Sequence, residues 1–165
     1  MLDAIQAMKS RVSIRAYKPL PVPREMLVDI VDCGRLAPNG YNHQAWIFVV
    51  VTDQQVRRRI ADAAHYGSFI RDAGACIAVF CKIGVETMVE DACAATENMI
   101  IAAQAYGLGT CWVNAYKKAH STSVKDILNY PGDYELVTLF ALGYPDEIKK
   151  TPKKPLDDLI RWNSF

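Results

Sequence analysis

At 165 residues, 51% of them hydrophobic, the chain can bury a core of ordinary size and is expected to form one domain, residues 1–165. Its 19 Lys and Arg nearly cancel its 18 Asp and Glu, so no general field favours nucleic acid or an anionic membrane surface, and any anion site has to be local. Five cysteines without a C-x-x-C pair, an N-terminus without a signal-peptide core, and no run of about 18 apolar residues lead to the expectation of a reduced, cytoplasmic protein that is neither secreted nor membrane-inserted.

In chain order, Leu2, Ile5 and Met8 have the spacing of a short amphipathic helix that delivers the chain to Arg11. The connector PLPVP ends at Pro23, a good first-turn residue. Met26, Leu27, Ile30, Val31 and Leu36 then mark a second helix that must stop before Pro38. WIFVVV, Trp46 to Val51, is a continuous β-branched and aromatic run, as expected of a strand covered on both faces, and a helix from about 53 to 64 follows. ACIAVFC, Ala75 to Cys81, reads as a second buried strand. Thr87 and Glu90 match a capping box, and the Ala-rich stretch to Tyr106 is the longest predicted helix, closed by Gly107. Its small residues suit close approach by another helix, at a dimer centre among other places, although Ala is also the best helix former. Strands at 110–113 and 135–142 flank a short helix near 123–128, and the polar tail from Ile148 ends in Leu159, Ile160, Trp162 and Phe165. Alternating strands and helices indicate an α/β or α+β layered domain. No G-x-G-x-x-G or G-x-x-x-x-G-K-[ST] element supports a dinucleotide fold or a P-loop.

Three segments carry candidate chemistry. In R-V-S-I-R, an extended backbone would turn Arg11, Ser13 and Arg15 to one side, and two guanidiniums with a hydroxyl make a phosphate receptor. Spacing alone does not separate this from a solvated basic strand edge. In A-P-N-G-Y-N-H-Q-A-W, Pro38, Asn39 and Gly40 fix a tight backbone, and Asn42 and Gln44 offer amides suited to a flat heteroaromatic edge. His43 is either a proton donor or an ordinary surface residue. In G-L-G-T-C-W-V-N-A, Cys111 lacks a Cys-His-Asn spacing and a helix N-terminus to activate it, so it reads as a buried structural thiol.

These segments, in this order and nearly this spacing, resemble the nitroreductase family of flavoenzymes. The family pattern is R-x-S-[IV]-R-x-[YF], then A-P-[ST]-x-x-N-x-Q-x-W, a long helix ending in G-L-G, and a late G-Y-x-x-E followed by basic residues. This chain has RVSIRAY, APNGYNHQAW, AYGLGTCW and GYPDE, which together cover almost its whole length. It departs at Asn39, where Ser or Thr is usual, at Ala45, where Pro is usual, and at Lys153 and Lys154, where Arg is frequent.

The resemblance implies an α+β sandwich, a central, mostly antiparallel sheet flanked by helices, with the C-terminal segment extending to the sheet of a partner subunit. It implies a homodimer with two shared sites. Arg11, Ser13 and Arg15, joined by Lys153 or Lys154, would hold the phosphate and ribityl end of flavin mononucleotide (FMN). Pro38, Asn39, Gly40 and Asn42 would approach the same FMN from the partner, and Asn114 with the backbone of Ala115 would lie near the isoalloxazine ring. NADH or NADPH would be the hydride donor and a nitroaromatic, quinone or similar small molecule the acceptor. No metal and no catalytic side chain are expected. Only a few residues separate Cys81 from the long helix, where larger relatives insert helices over the pocket, so a wide acceptor site follows. The alternatives are a family branch with a dedicated substrate and a low-turnover flavin-binding or redox-sensing protein.

Overall fold

Continuous apolar runs become sheet strands in the computed structural model, which describes residues 2–165. Strands β1 (Trp46–Val51), β2 (Ala75–Lys82), β3 (Gly109–Asn114) and β4 (Tyr134–Gly143) form one antiparallel sheet in the order β1-β2-β4-β3. In β2 every residue from Ala75 to Cys81 is buried. Alternation sends Ala75, Ile77, Val79 and Cys81 to one face and Cys76, Ala78 and Phe80 to the other. A register shift between Val79 and Phe80 leaves Val137 of β4 as an extra residue. This bulge resets the alternation, so that Leu136 shares a face with Leu139 and Ala141.

Helices α2 (Arg24–Arg35) and α4 (Met88–Ala105) bury Leu27, Ile30, Ala92, Met99, Ile100 and Ala103 on the first face. Helices α3 (Gln54–Ala63) and α5 (Ser121–Ile127) bury Ile60, Ala61 and Val124 on the second. Each fully buried Leu or Ile contributes about 1.5–3 kcal/mol of transfer free energy. Of the small residues of α4, Ala92, Ala95 and Ala103 are fully buried within the chain. A Cβ at Gly34 of α2 would sit 2.6 Å from the Met99 side chain, so the two helices meet closely there. Between sheet and helix, the buried hydroxyls of Thr96 and Thr138 share a hydrogen bond of 2.6 Å.

Four local expectations change. Helix α1 (Ala4–Ser10) is capped by the Asp3 carboxylate, which accepts from Gln6 N–H at 2.9 Å, and it buries Ala7, while Leu2, Ile5 and Met8 face solvent. The spacing was that of a helix, but the apolar stripe has no partner in its own chain. Strand β1 lies at a sheet edge, and Ile47 and Val50 stay 40% and 38% exposed rather than covered. The Thr87 side chain makes no capping bond and donates to Asp91 Oδ2 at 2.9 Å. Helix α5 begins two residues earlier than the apolar pattern suggested. In the tail, Leu159, Trp162 and Phe165 are exposed. Among the described residues no helix is long and apolar enough to cross a membrane.

Candidate functional site

After α1 the chain runs extended from Arg11 and lies along β3: Ser13 bridges Thr110 in parallel, and Ile14 N–H donates to the Thr110 carbonyl at 2.8 Å. Ile14 and Tyr17 are buried and anchor the segment. Gly109 permits this, because a Cβ there would sit 2.7 Å from Ile14 Cβ. With Ile14 inward, its neighbours turn outward; Arg11 and Ser13 are half-buried and Arg15 is exposed. Three further bonds fix the turn. The Tyr17 hydroxyl donates to the Ile14 carbonyl at 2.6 Å, and Glu147 accepts from the N–H of Arg15 and of Ala16. Those donors, with Lys149 and the Arg15 charge, hold the Glu147 carboxyl below its ordinary range. Burial pushes the Tyr17 phenol far above its ordinary range, so it stays a neutral donor.

Arg15 opens onto a cavity of about 850 Å³ that also meets Phe69, Cys111, Asn114 and His120. Its guanidinium carbon stands 5.8 Å from the centre of the Phe69 ring. Cys111 is 2% exposed, and burial pushes its thiol up against the opposing pull of Arg15, Ser13 and Lys149, as befits a structural thiol. Ala115 is fully buried, its N–H directed at the Val137 carbonyl at 3.3 Å. His120 brings a buried Nε2 with no partner among the described residues to this cavity. A buried polar atom of this kind calls for water or a polar ligand. Lys153 and Lys154 are exposed, whereas Lys149 is the tail lysine whose charge bears on Glu147 and Cys111.

The loop before β1 is built from the other end of the sheet. Asn39 Oδ1 accepts from Gln44 N–H at 2.9 Å, and the buried Asp91 carboxylate accepts Gly40 N–H at 2.9 Å. A Cβ at Gly40 would fall 2.3 Å from Thr87 Oγ1. Tyr41, Asn42 and Gln44 all have left-handed backbones, φ 51°, 56° and 50°. Each such residue costs about 1–2 kcal/mol, and this kind of strain collects where a surface is shaped for a ligand. Pro38, Asn42 and His43 are exposed, and Asn39 and Gly40 half-buried.

The structure brings Arg15 to Asn114 but holds Pro38 to Asn42 away from both. The row Ser13–Thr110–Leu142–Ala75 crosses one end of the sheet, and Trp46–Cys81–Glu135 crosses the other, with Ser13 and Trp46 at opposite edges. Four strand spacings across and six residues along place Ser13 and Trp46 roughly 28 Å apart. Sequence reasoning missed Asp91 and Lys149 as parts of this arrangement, quoted Glu147 in a motif without a role, and weighed His120 only as an acid-base group, setting it aside for want of an orienting partner. Asp91 and Glu147 meet Gly40 and Arg15 only 51 and 132 positions away, so no local signal marks them. Among the described residues no cluster of three or more His, Cys, Asp or Glu is placed to hold a metal ion.

The chain is thus an antiparallel four-stranded α+β sandwich with a basic segment along one edge and a strained amide loop before the opposite edge strand. The chain belongs to the nitroreductase family, whose model matches residues 8–74 and 65–144. An FMN-dependent nitroreductase from Clostridium difficile superposes with a TM-score of 0.92 at 26% identity, over 98% of this chain and 99% of that one. An NADH dehydrogenase from Thermus thermophilus is 25% identical over 201 residues, 98% of this chain and 97% of its own. An iodotyrosine deiodinase from Thermotoga neapolitana is 25% identical over 183 residues, 95% of this chain and 96% of its own.

Proposed function

We propose that this single-domain protein is an FMN-dependent oxidoreductase that takes hydride from NADH or NADPH and reduces nitroaromatics, quinones or similar electron-poor acceptors, as a cytoplasmic homodimer. The cavity joining Arg15 to Asn114 carries the reading, since it offers a cation at one end and an amide at the other. The residues fit the cofactor. Arg11, Ser13 and Arg15, with Lys153 or Lys154 from the tail, hold the phosphate and ribityl end by charge-assisted hydrogen bonds. Phe69 supplies an apolar wall, Asn114 and the backbone at Ala115 flank the ring, and the free His120 Nε2 gives that wall a polar partner. FMN, when bound, supplies the hydride chemistry, and the protein binds, orients and tunes it.

The basic segment and the strand that the Asn39 loop enters lie on opposite edges of the sheet, with Ser13 and Trp46 roughly 28 Å apart, farther than one mononucleotide spans. Pro38, Asn39, Gly40 and Asn42 therefore serve the FMN of the other subunit. The exposed stripe of Leu2, Ile5 and Met8, the open edge of β1 with Ile47 and Val50, and the exposed Leu159, Trp162 and Phe165 favour a second copy as the cover. Only residues 83–87 separate β2 from α4, so little roofs the pocket and the acceptor site is wide. The five free cysteines suit a reducing compartment.

The test is the visible spectrum of the purified protein, which should show a flavin at one per subunit that bleaches on anaerobic addition of NADH or NADPH. Arg15→Glu replaces attraction by repulsion at the phosphate and should sharply weaken FMN binding. Unchanged affinity would remove the anchor. The likeness to an iodotyrosine deiodinase favours, as a second reading, a branch with one dedicated substrate. A panel of nitroaromatic, quinone and halophenol acceptors separates the two by whether turnover is broad or confined to one class.

A further inference from the structure

Arg57 is a buried cation that makes no ion pair among the described residues; the carboxylates of Asp53 and Asp72 act on it only from beyond contact. It sits on the second turn of α3 at 8% exposure, and its guanidinium reaches back so that Nη1 donates to the Thr52 carbonyl. Its Nε is buried and has no partner among the described residues. The ion pairs formed by those residues, Arg35–Asp32, Arg71–Asp62 and Lys125–Glu135, do not include it. Burial, before any other influence, works against its charged form, and arginine cannot escape by losing its proton. Such a group calls for an anion.

Arg57 lines a cavity of about 420 Å³ between the connector Lys18–Val22 and residues 71–74. That volume lies within the roughly 300–1,000 Å³ of small-molecule sites. Its walls are firm: a Cβ at Gly74 would fall 2.7 Å from Val22 Cγ2, so connector and sheet meet closely there. Lys18 and Arg71 stand at the lining with Arg57, Gln54 and Thr52 add neutral polar groups, and Asp72 is the one acid among the lining residues. Arg71 is also paired with Asp62 at 2.8 Å, which leaves Arg57 and Lys18 as the uncommitted charges. This cavity shares no lining residue with the one that joins Arg15 to Asn114.

We propose that this hollow is a second anion site, which takes the phosphate or carboxylate group of a small organic molecule on Arg57, with Lys18 and Arg71 closing around it. The site needs no flavin and stands apart from the oxidoreductase reading. A guanidinium held with one bond already made presents its remaining N–H groups in a fixed fork, the arrangement that binds planar and tetrahedral oxyanions best.

The experiment titrates sodium phosphate and, separately, sodium succinate into the purified protein saturated with FMN, with chloride holding ionic strength constant, and follows heat of binding and the thermal midpoint. Saturable binding with a rising midpoint is expected. Arg57→Gln should weaken it by at least about tenfold, as should the more conservative surface changes Lys18→Gln and Arg71→Gln taken together. A response to phosphate alone identifies phosphate esters as the ligand class, to succinate alone carboxylic acids, and to both a general oxyanion site. No response beyond the chloride control overturns the proposal. So does an undiminished response in Lys18→Gln/Arg71→Gln and in Arg57→Gln; if Arg57→Gln fails to fold, the double variant alone decides.

Discussion

Glu147 accepts the backbone N–H of Arg15 at 2.5 Å, across 132 positions of sequence, and so a carboxylate near the tail sets the path of the basic segment near the start. Its carboxyl is held below the ordinary range chiefly by that bond. A depressed folded value means that the contribution to stability is complete above the unfolded glutamate value of about 4.3 and fades as pH falls through the lower folded one. Glu147→Gln should therefore show a shallower loss of thermal midpoint below about pH 4.3 than the parent. At neutral pH it should also bind FMN several-fold more weakly. Superimposable acid limbs would show that the carboxylate does not hold the segment.

Asp91 does for the loop what Glu147 does for the segment. It accepts both Gly40 N–H and the Thr87 hydroxyl at 2.9 Å while almost fully buried. Asp91→Ala strands two donors and should lower unfolding free energy by about 2 kcal/mol or more, with Asp91→Asn costing less because it keeps an acceptor for Gly40. Gly40→Ala should destabilise through its clash with Thr87, and Thr87→Ala in the same chain should recover part of the loss. Denaturant titration of the four variants reads this directly; a neutral Gly40→Ala would mean the loop is not held so tightly.

Removal of residues 159–165 tests the tail. If Leu159, Trp162 and Phe165 cover a second copy, the truncated protein should lose thermal stability and retained flavin together, because obligate interfaces commonly bury over about 2,000 Å² and stabilise each fold. Sedimentation should show the parent as a dimer. A monomer holding stoichiometric FMN would contradict the shared site.

On the proposed function, nicotinamide and acceptor would use the same exposed flavin face in turn, so one would leave before the other enters. Initial-rate plots at several fixed acceptor concentrations should be parallel, and Cys111→Ser and His43→Ala should each lose less than about 100-fold in kcat/KM, the lower end of what a general acid or base contributes. The burial of Cys111 already argues against a nucleophile. Intersecting plots, or a loss of about 1,000-fold in either variant, would restore separate sites or a catalytic side chain respectively.

The sheet was legible wherever burial is complete. Ile77, Val79, Leu139 and Phe140 are fully enclosed by their own chain, and their runs contain no polar alternation to confuse the reading. The same composition misled at β1, because an apolar run looks alike whether a helix covers it or its outer side is left for another molecule. Helix α1 failed in the same way: Leu2, Ile5 and Met8 have helical spacing, but spacing does not say which side has a partner. Arg15 was singled out by the local R-V-S-I-R spacing, which only the whole-chain resemblance set apart from a solvated basic edge, and Asn114 was reached through the resemblance alone. Asp91 and Glu147 escaped because their partners stand 51 and 132 positions away.

The corner-to-corner separation of the basic segment and the Asn39 loop has a genetic consequence. On the shared-site reading, a lesion in the segment of one subunit and a lesion in the loop of the other fall together in a mixed dimer: one site receives both defects and the other receives none. Subunits with Arg15→Glu and subunits with a disrupted loop are each inert when pure. Random reassortment makes half of the dimers mixed, each with one intact site, so about a quarter of normal activity returns. Two null alleles of this kind would complement each other, while two lesions within the segment, or two within the loop, would not.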